Sequence, residues 1–226
     1  MRTFYLTALL MASTTMLAHA EASGVPANVR VAKVTESKAT TPTYSFDQAA
    51  RMIEDYFNAF TTLTAWFSQH SSNDQWTHEG TLAVKKPGQF VWLYQSPHRQ
   101  RIISTGTAVY YVDDEGGQVT QLPLQGGIAK LLGAREVKLD KLGFRVTALK
   151  QNPQQLDVTL TPLKPDNQLK NIVLTFSATG AKPEISGLSM TDGLGAVTQV
   201  TLSDIKTGVS IDPKVFKFTP PQERQN

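Results

Sequence analysis

From residue 46 the apolar side chains recur as Phe46, Ala49, Ala50, Ile53, Tyr56, Phe57 and Phe60. That spacing is helical. Ser45-Phe46-Asp47-Gln48 has the S-x-x-Q form of a capping box. A helix over 46–60 is predicted, with an aromatic stripe that must be buried against something. From Thr62 the period changes to short β-like runs at 62–70, 76–85, 89–96, 100–105, 107–112, 117–122, 143–150, 154–161, 169–177, 184–191 and 197–206. Turn signals separate them, among them Pro87-Gly88, Ser96-Pro97, Asn152-Pro153 and Pro165-Asp166-Asn167. A spacing of about 8–12 residues predicts consecutive antiparallel strands, and no long helix falls between them to build βαβ units.

One segment breaks the run. Residues 122–142 read LPLQGGIAKLLGAREVKLDKL. Ile128, Leu131 and Leu132 form a short apolar face, opened by Gly126-Gly127 and followed by Gly133. One or two short helices of about two turns each are predicted, too short to persist alone in water and therefore packed on the sheet. A glycine-flanked helix of this kind suits a movable lid. It equally suits a plain crossover, and the pattern leaves both readings open.

The stretch KKPGQFVWLY, residues 85–94, puts Phe90, Trp92 and Tyr94 on one face of a strand and Val91 and Leu93 on the other. Antiparallel sheets usually keep one face polar. The adjacent pairs Trp66-Phe67 and Tyr110-Tyr111 must likewise split between faces. One helix covers part of one face, so the other needs a second cover or a guest. An ordinary two-layer core and a curved sheet with an apolar concavity both satisfy this pattern.

Hydrophobic residues make up 40% of the 226-residue chain and charged residues 18%, as in a globular protein with a real core. Residues 1–20, MRTFYLTALLMASTTMLAHA, combine Arg2, an apolar stretch and an Ala-x-Ala site. They read as a secretory signal peptide, since an apolar run of roughly 14 residues falls short of the roughly 20 that a spanning helix needs. Residues 21–43 read as a flexible leader, 44–222 as a single domain and 223–226 as a tail. There is no cysteine, hence no disulfide and no lipid attachment site after the signal. The net charge of +3 is scattered, without the basic stripe of a nucleic-acid binder.

Candidate chemistry is sparse. The histidines lack H-x-x-H spacing, so neither a zinc site nor another metal centre is expected. No G-x-S-x-G elbow, P-loop or dinucleotide fingerprint occurs. A Ser-His-Asp triad is defined by geometry, and nothing in the order of residues favours one. Asp113-Asp114-Glu115-Gly116-Gly117 matches only a fragment of a calcium loop and reads as a hairpin turn. No catalysis and no cofactor are expected.

Gly80 to Trp92, GTLAVKKPGQFVW, resembles the G-x-L-x-V-K-[RK]-P-x-x-F-x-W block of the outer-membrane lipoprotein carrier proteins, the LolA family. Asp212-Pro213-x-x-Phe216-x-Phe218-Thr219-Pro220-Pro221-Gln222 resembles the terminal signature of the same family. The likeness covers roughly residues 45–222. It implies an α+β fold: a curved, unclosed antiparallel half-barrel, with an N-terminal helix and short lid helices over the concave face. It also implies a periplasmic carrier, monomeric and binding no nucleic acid. Such a carrier takes triacylated lipoproteins from an inner-membrane ABC release complex and passes them to an outer-membrane receptor.

By position, Phe90, Trp92, Tyr94, Trp66, Ile128, Leu131 and Leu132 are expected at the acyl cavity and transfer surface. Lys86, where many members of the family carry arginine, is expected to latch the lid. A lysine offers a compact ammonium in place of a planar fork. The bland alternatives are plain core for the apolar set and a solvated strand end for Lys85-Lys86. Two further readings are an envelope-stress sensor of mislocalised lipoproteins, which normally needs a second domain, and a secreted β-rich hydrolase.

Overall fold

The computed structural model describes residues 44–122, 127–165, 167–178 and 182–219. The predicted signal peptide, leader and tail lie outside the described residues, as do Gly126 and the terminal Pro220 to Gln222.

The predicted capping box is formed. Ser45 Oγ accepts from the Gln48 N–H at 3.2 Å, and Gln48 Oε1 accepts from the Ser45 N–H at 2.8 Å. They open helix α1 (Phe46–Asn58), which buries Ala49, Ile53 and Phe57. Strands β1 (Thr62–Ser71), β2 (Thr77–Lys85), β3 (Gln89–Ser96), β4 (Gln100–Thr105), β5 (Val109–Asp113) and β6 (Val119–Leu122) follow. Helix α2 (Gly127–Gly133) then precedes β7 (Phe144–Asn152), β8 (Gln155–Pro162), β9 (Asn171–Ser177), β10 (Glu184–Thr191) and β11 (Val197–Thr207). A 3₁₀ turn, Pro213–Phe216, comes after the last strand. Each predicted run overlaps one strand, and the described part of the 122–142 segment forms helix α2, followed by irregular backbone from 134 and turns over 139–143.

The strands make one antiparallel, unclosed and curved sheet in the order β6-β5-β4-β3-β2-β1-β11-β10-β9-β8-β7. First and last strands meet in its middle, with Phe67 opposite Leu202. Strands consecutive in the chain are otherwise neighbours, except β6 and β7, which form the two outer edges. The link between them must therefore cross the whole sheet, and it carries α2 over the concave face. Register shifts at Thr64/Trp66, Glu79/Gly80 and Ile185/Gly187 mark bulges, which bend and twist a strand. Gly80 allows β2 and β3 to approach closely, since a Cβ there would sit 1.9 Å from the Leu93 carbonyl oxygen.

Two apolar clusters result. The larger joins α1 and α2 to the inward residues of the sheet. The smaller lies on the outer face, where Val91, Ile103 and Val112 pack on Phe216. Asp212 Oδ1 accepts from the Lys214 N–H at 2.9 Å and starts the 3₁₀ turn that delivers Phe216, 1% exposed. Phe218 extends this cover over Tyr110, with ring centroids 5.1 Å apart. The second greasy face of β3 is thus covered by the chain's own C-terminal segment. Phe216→Ala should lower unfolding free energy by about 3–5 kcal/mol in urea titration; a loss under about 1 kcal/mol would show that this cover is not structural.

Candidate functional site

α1 and the crossover form one unit. Asn58 Nδ2 donates to the Val137 carbonyl at 2.9 Å, and Asn58 Oδ1 accepts from the Val137 N–H at 2.7 Å. Glu54 accepts from the Leu139 N–H at 2.9 Å and pairs with the Lys138 ammonium at 3.0 Å. That hydrogen bond holds the Lys138 amine above its ordinary range. The helix and the segment that leads away from α2 are thereby tied by directed bonds.

A single turn of the sheet grips both helices. Residues 86–88, between β2 and β3, are Lys-Pro-Gly. Lys86 Nζ donates to the Phe57 carbonyl in the last turn of α1. The Gly88 N–H donates to the Gly133 carbonyl at the end of α2, at 2.8 Å. Gly88 has φ +78°, the left-handed region that glycine adopts without strain. Ser104 Oγ, from β4, donates to the Gly88 carbonyl and pins the turn from below. Sequence reasoning singled out Lys86 and placed Gly88 in a turn and Gly133 after the short helix, but it missed the Gly88–Gly133 contact and Ser104, because these contacts join residues remote in the chain.

Beneath the helices the predicted apolar residues come together, with one exception. Phe90, Trp92 and Tyr94 are at most 2% exposed, and Ile128, Leu131 and Leu132 pack in the same cluster. Trp66 does not join them. β1 turns Leu63, Ala65, Phe67 and Gln69 inward, so strand alternation leaves Trp66, partly buried, on the outward side. Phe67 occupies the place expected for it, with its ring centroid 5.0 Å from those of both Trp92 and Tyr94. The Tyr94 hydroxyl donates to Gln69 Oε1 at 3.0 Å, and burial pushes that hydroxyl far above its ordinary range.

Among the described residues the helices and the sheet leave little space between them. A void of about 20 Å³ remains, bounded by Tyr56 and Phe57 of α1, Ile128 and Leu132 of α2, and Leu82 and Trp92 of the sheet. That is room for about one water molecule. Leu188 and Leu202 close it from the second half of the sheet. A larger open depression of about 440 Å³ lies at the rim, between the β8–β9 and β10–β11 turns, and neither helix lines it. Among the described residues no group of three or more His, Asp or Glu is placed to hold a metal ion.

Lys86 makes the charged contact of this turn. α1 carries no basic residue in its last turn, and helix C-termini favour a cation. Lys86 supplies one from the sheet, with Nζ 4.7 Å from the Phe60 ring centroid and 5.9 Å from that of Phe57. Burial lowers its amine to about 8, from an ordinary 10.5. Between these values the unfolded chain binds more protons than the folded one, so stability rises with pH. Wild type should therefore gain stability relative to Lys86→Met as pH is raised from about 8 to about 10.5. Parallel stability curves for the two proteins over that window would show that the amine is not desolvated.

The family described as outer membrane lipoprotein carrier protein LolA matches residues 58–219. The chain is 26% identical over 176 residues to an outer-membrane lipoprotein carrier protein of Methylococcus capsulatus, spanning 75% of this chain and 82% of that one. It is 31% identical over 148 residues to the protein of that name from Chromohalobacter salexigens, spanning 64% and 68%. Among solved structures, a LolA superfamily protein of Nitrosomonas europaea aligns over 78% of this chain and 99% of its own, at 10% identity and a TM-score of 0.44. The family match runs from the end of α1 through the whole sheet to the Phe216 block, and the chain belongs to the LolA family of outer-membrane lipoprotein carrier proteins.

Proposed function

We propose that the protein is a periplasmic carrier that shelters the acyl chains of lipoproteins on the concave face of its sheet. In this reading it accepts them from an inner-membrane ABC release complex and delivers them to an outer-membrane receptor. Phe90, Trp92, Tyr94, Ile128, Leu131 and Leu132 exchange contacts with one another for contacts with lipid. Lys86 holds the vacant form closed. One observation carries the reading: among the described residues α1 and α2 lie on an apolar face with a void of only about 20 Å³ beneath them, and the 86–88 turn grips the ends of both helices.

Magnitudes support reversibility. Exposing three side chains such as Ile128, Leu131 and Leu132 costs about 5–9 kcal/mol in total, at roughly 1.5–3 kcal/mol each. Each methylene removed from water returns about 0.8 kcal/mol, so about six to eleven methylenes offset the opening. A longer chain loads, and a vacant carrier closes. Closure also hides a surface that would otherwise aggregate. Hand-over then follows from a difference in affinity between donor and acceptor, as for any ligand-driven population shift.

Purified protein at micromolar concentration should take up a fluorescent fatty-acyl probe, and a triacylated lipoprotein should displace it. Absence of uptake would remove the carrier reading.

A further inference from the structure

The exposed apolar side chains are not scattered. Among the described residues the five large ones are Phe46, Trp76, Leu163, Leu194 and Val215. Three of these share one end of the sheet, where β8 and β10 finish and β2 begins. Trp76 directly precedes β2, Leu163 directly follows β8, and Leu194 sits in the turn between β10 and β11. They are 52%, 49% and 73% exposed. The turns that carry them touch. The Ser72 N–H donates to the Val197 carbonyl at 2.8 Å, and the Val197 N–H donates to Ser72 Oγ at 3.0 Å. A Cβ on Gly193 would lie 2.0 Å from the Asn167 carbonyl oxygen, which sets the β10–β11 turn against the β8–β9 turn.

Carboxylates hold two of the tips in place. Asp74 Oδ1 accepts from the Trp76 N–H at 2.9 Å, and its Oδ2 pairs with His78 Nε2 at 2.7 Å. Asp192 is buried, and its Oδ1 accepts from the N–H groups of Leu194 at 2.9 Å and Ala196 at 2.8 Å. Both acids are engaged within their own turns. The cations are exposed instead. Among the described residues that line the open depression of about 440 Å³ between the turns, the charged ones are Lys164 and Lys170. Leu194 lines it too, and Leu163 sits between two residues that do, Pro162 and Lys164.

Trp76 and Leu194 stand on separate narrow turns among polar residues, not on one wide apolar face. A stable protein interface has a continuous apolar centre, whereas the fluid boundary of a bilayer accepts isolated tips. Indole and leucine enter that boundary, and a lysine stem lets its ammonium reach phosphate. We infer that this end of the sheet docks on a bilayer containing anionic phospholipid. Trp76, Leu163 and Leu194 enter the interface, and Lys164 and Lys170 take a lipid phosphate in the depression. Docking here is distinct from shelter of acyl chains beneath α1 and α2, and the two are tested apart.

Co-sedimentation of the purified protein with vesicles reads the docking. Wild type should bind vesicles of phosphatidylglycerol and phosphatidylethanolamine more tightly than vesicles of phosphatidylcholine. Lys164→Ala combined with Lys170→Ala should weaken the first about thirtyfold. Leu163→Ser combined with Leu194→Ser should weaken it about tenfold or more. All four side chains are exposed, so their replacement leaves the fold intact, and uptake of N-phenyl-1-naphthylamine should be unchanged in both variants. No binding by wild type, or equal binding to the two kinds of vesicle, would overturn the inference. So would wild-type binding by either variant: a contact with phosphate alone would spare the leucine pair, and entry of lipid beneath the helices would spare both. Each of these outcomes leaves the carrier reading to the dye assay.

Discussion

A sheet that curves keeps its apolar residues on the inside, and leaving that face bare in water costs about 25 cal/mol for each Å² exposed. The rest of this structure follows from the need to cover it. β1 and β11 pair in the centre, so β6 and β7 become the outer edges. The link between them has to pass across the sheet, and it passes on the concave side. The cover is in this sense a consequence of topology: the connection from β6 to β7 supplies α2, and α1 joins it from the N-terminal side.

Two kinds of contact divide the work. Within the lid, Asn58 and Glu54 make directed hydrogen bonds to residues 137–139. Between lid and sheet the contacts are mostly apolar and non-directional, so hydrocarbon can take their place without leaving polar groups unpaired. The exceptions are the turn at 86–88, where Lys86 and Gly88 hold the ends of the two helices, and the Tyr56 hydroxyl, which meets the backbone of Ile185 in β10. The outer face shows the contrast. There the 3₁₀ turn places Phe216 on Val91, Ile103 and Val112 as a fixed cover.

Much of the fold was legible in the sequence because alternation and turn residues report strands locally, and the S-x-x-Q box reports the start of α1. The eleven runs were all found, and Gly127 and Gly133 framed α2. The orientation of Trp66 was legible too: Leu63, Ala65 and Phe67 share a parity, and Trp66 is out of phase with them. The role of Phe216 was not legible, since its partners lie more than a hundred residues upstream. Nor did the pattern distinguish a filled concavity from an open one. A residue that lines a lipid trough and one that packs a core have the same composition, and here the same residues supply both readings. The contacts of Ser104 and Gly88 escaped notice for a related reason: a hydroxyl and a glycine in a strand and a turn gain meaning only from the partners that folding brings.

The central claim is that the inward residues form a core when the protein is vacant and a cavity when it is loaded. Spin labels at Lys130 on α2 and at Gln95, exposed on β3, measure this directly by pulsed electron resonance. With a triacylated lipopeptide bound, the distance between them should lengthen and its distribution broaden relative to the vacant protein. An unchanged distance at saturating lipopeptide would contradict the account, since lipid would then be held somewhere other than beneath the lid.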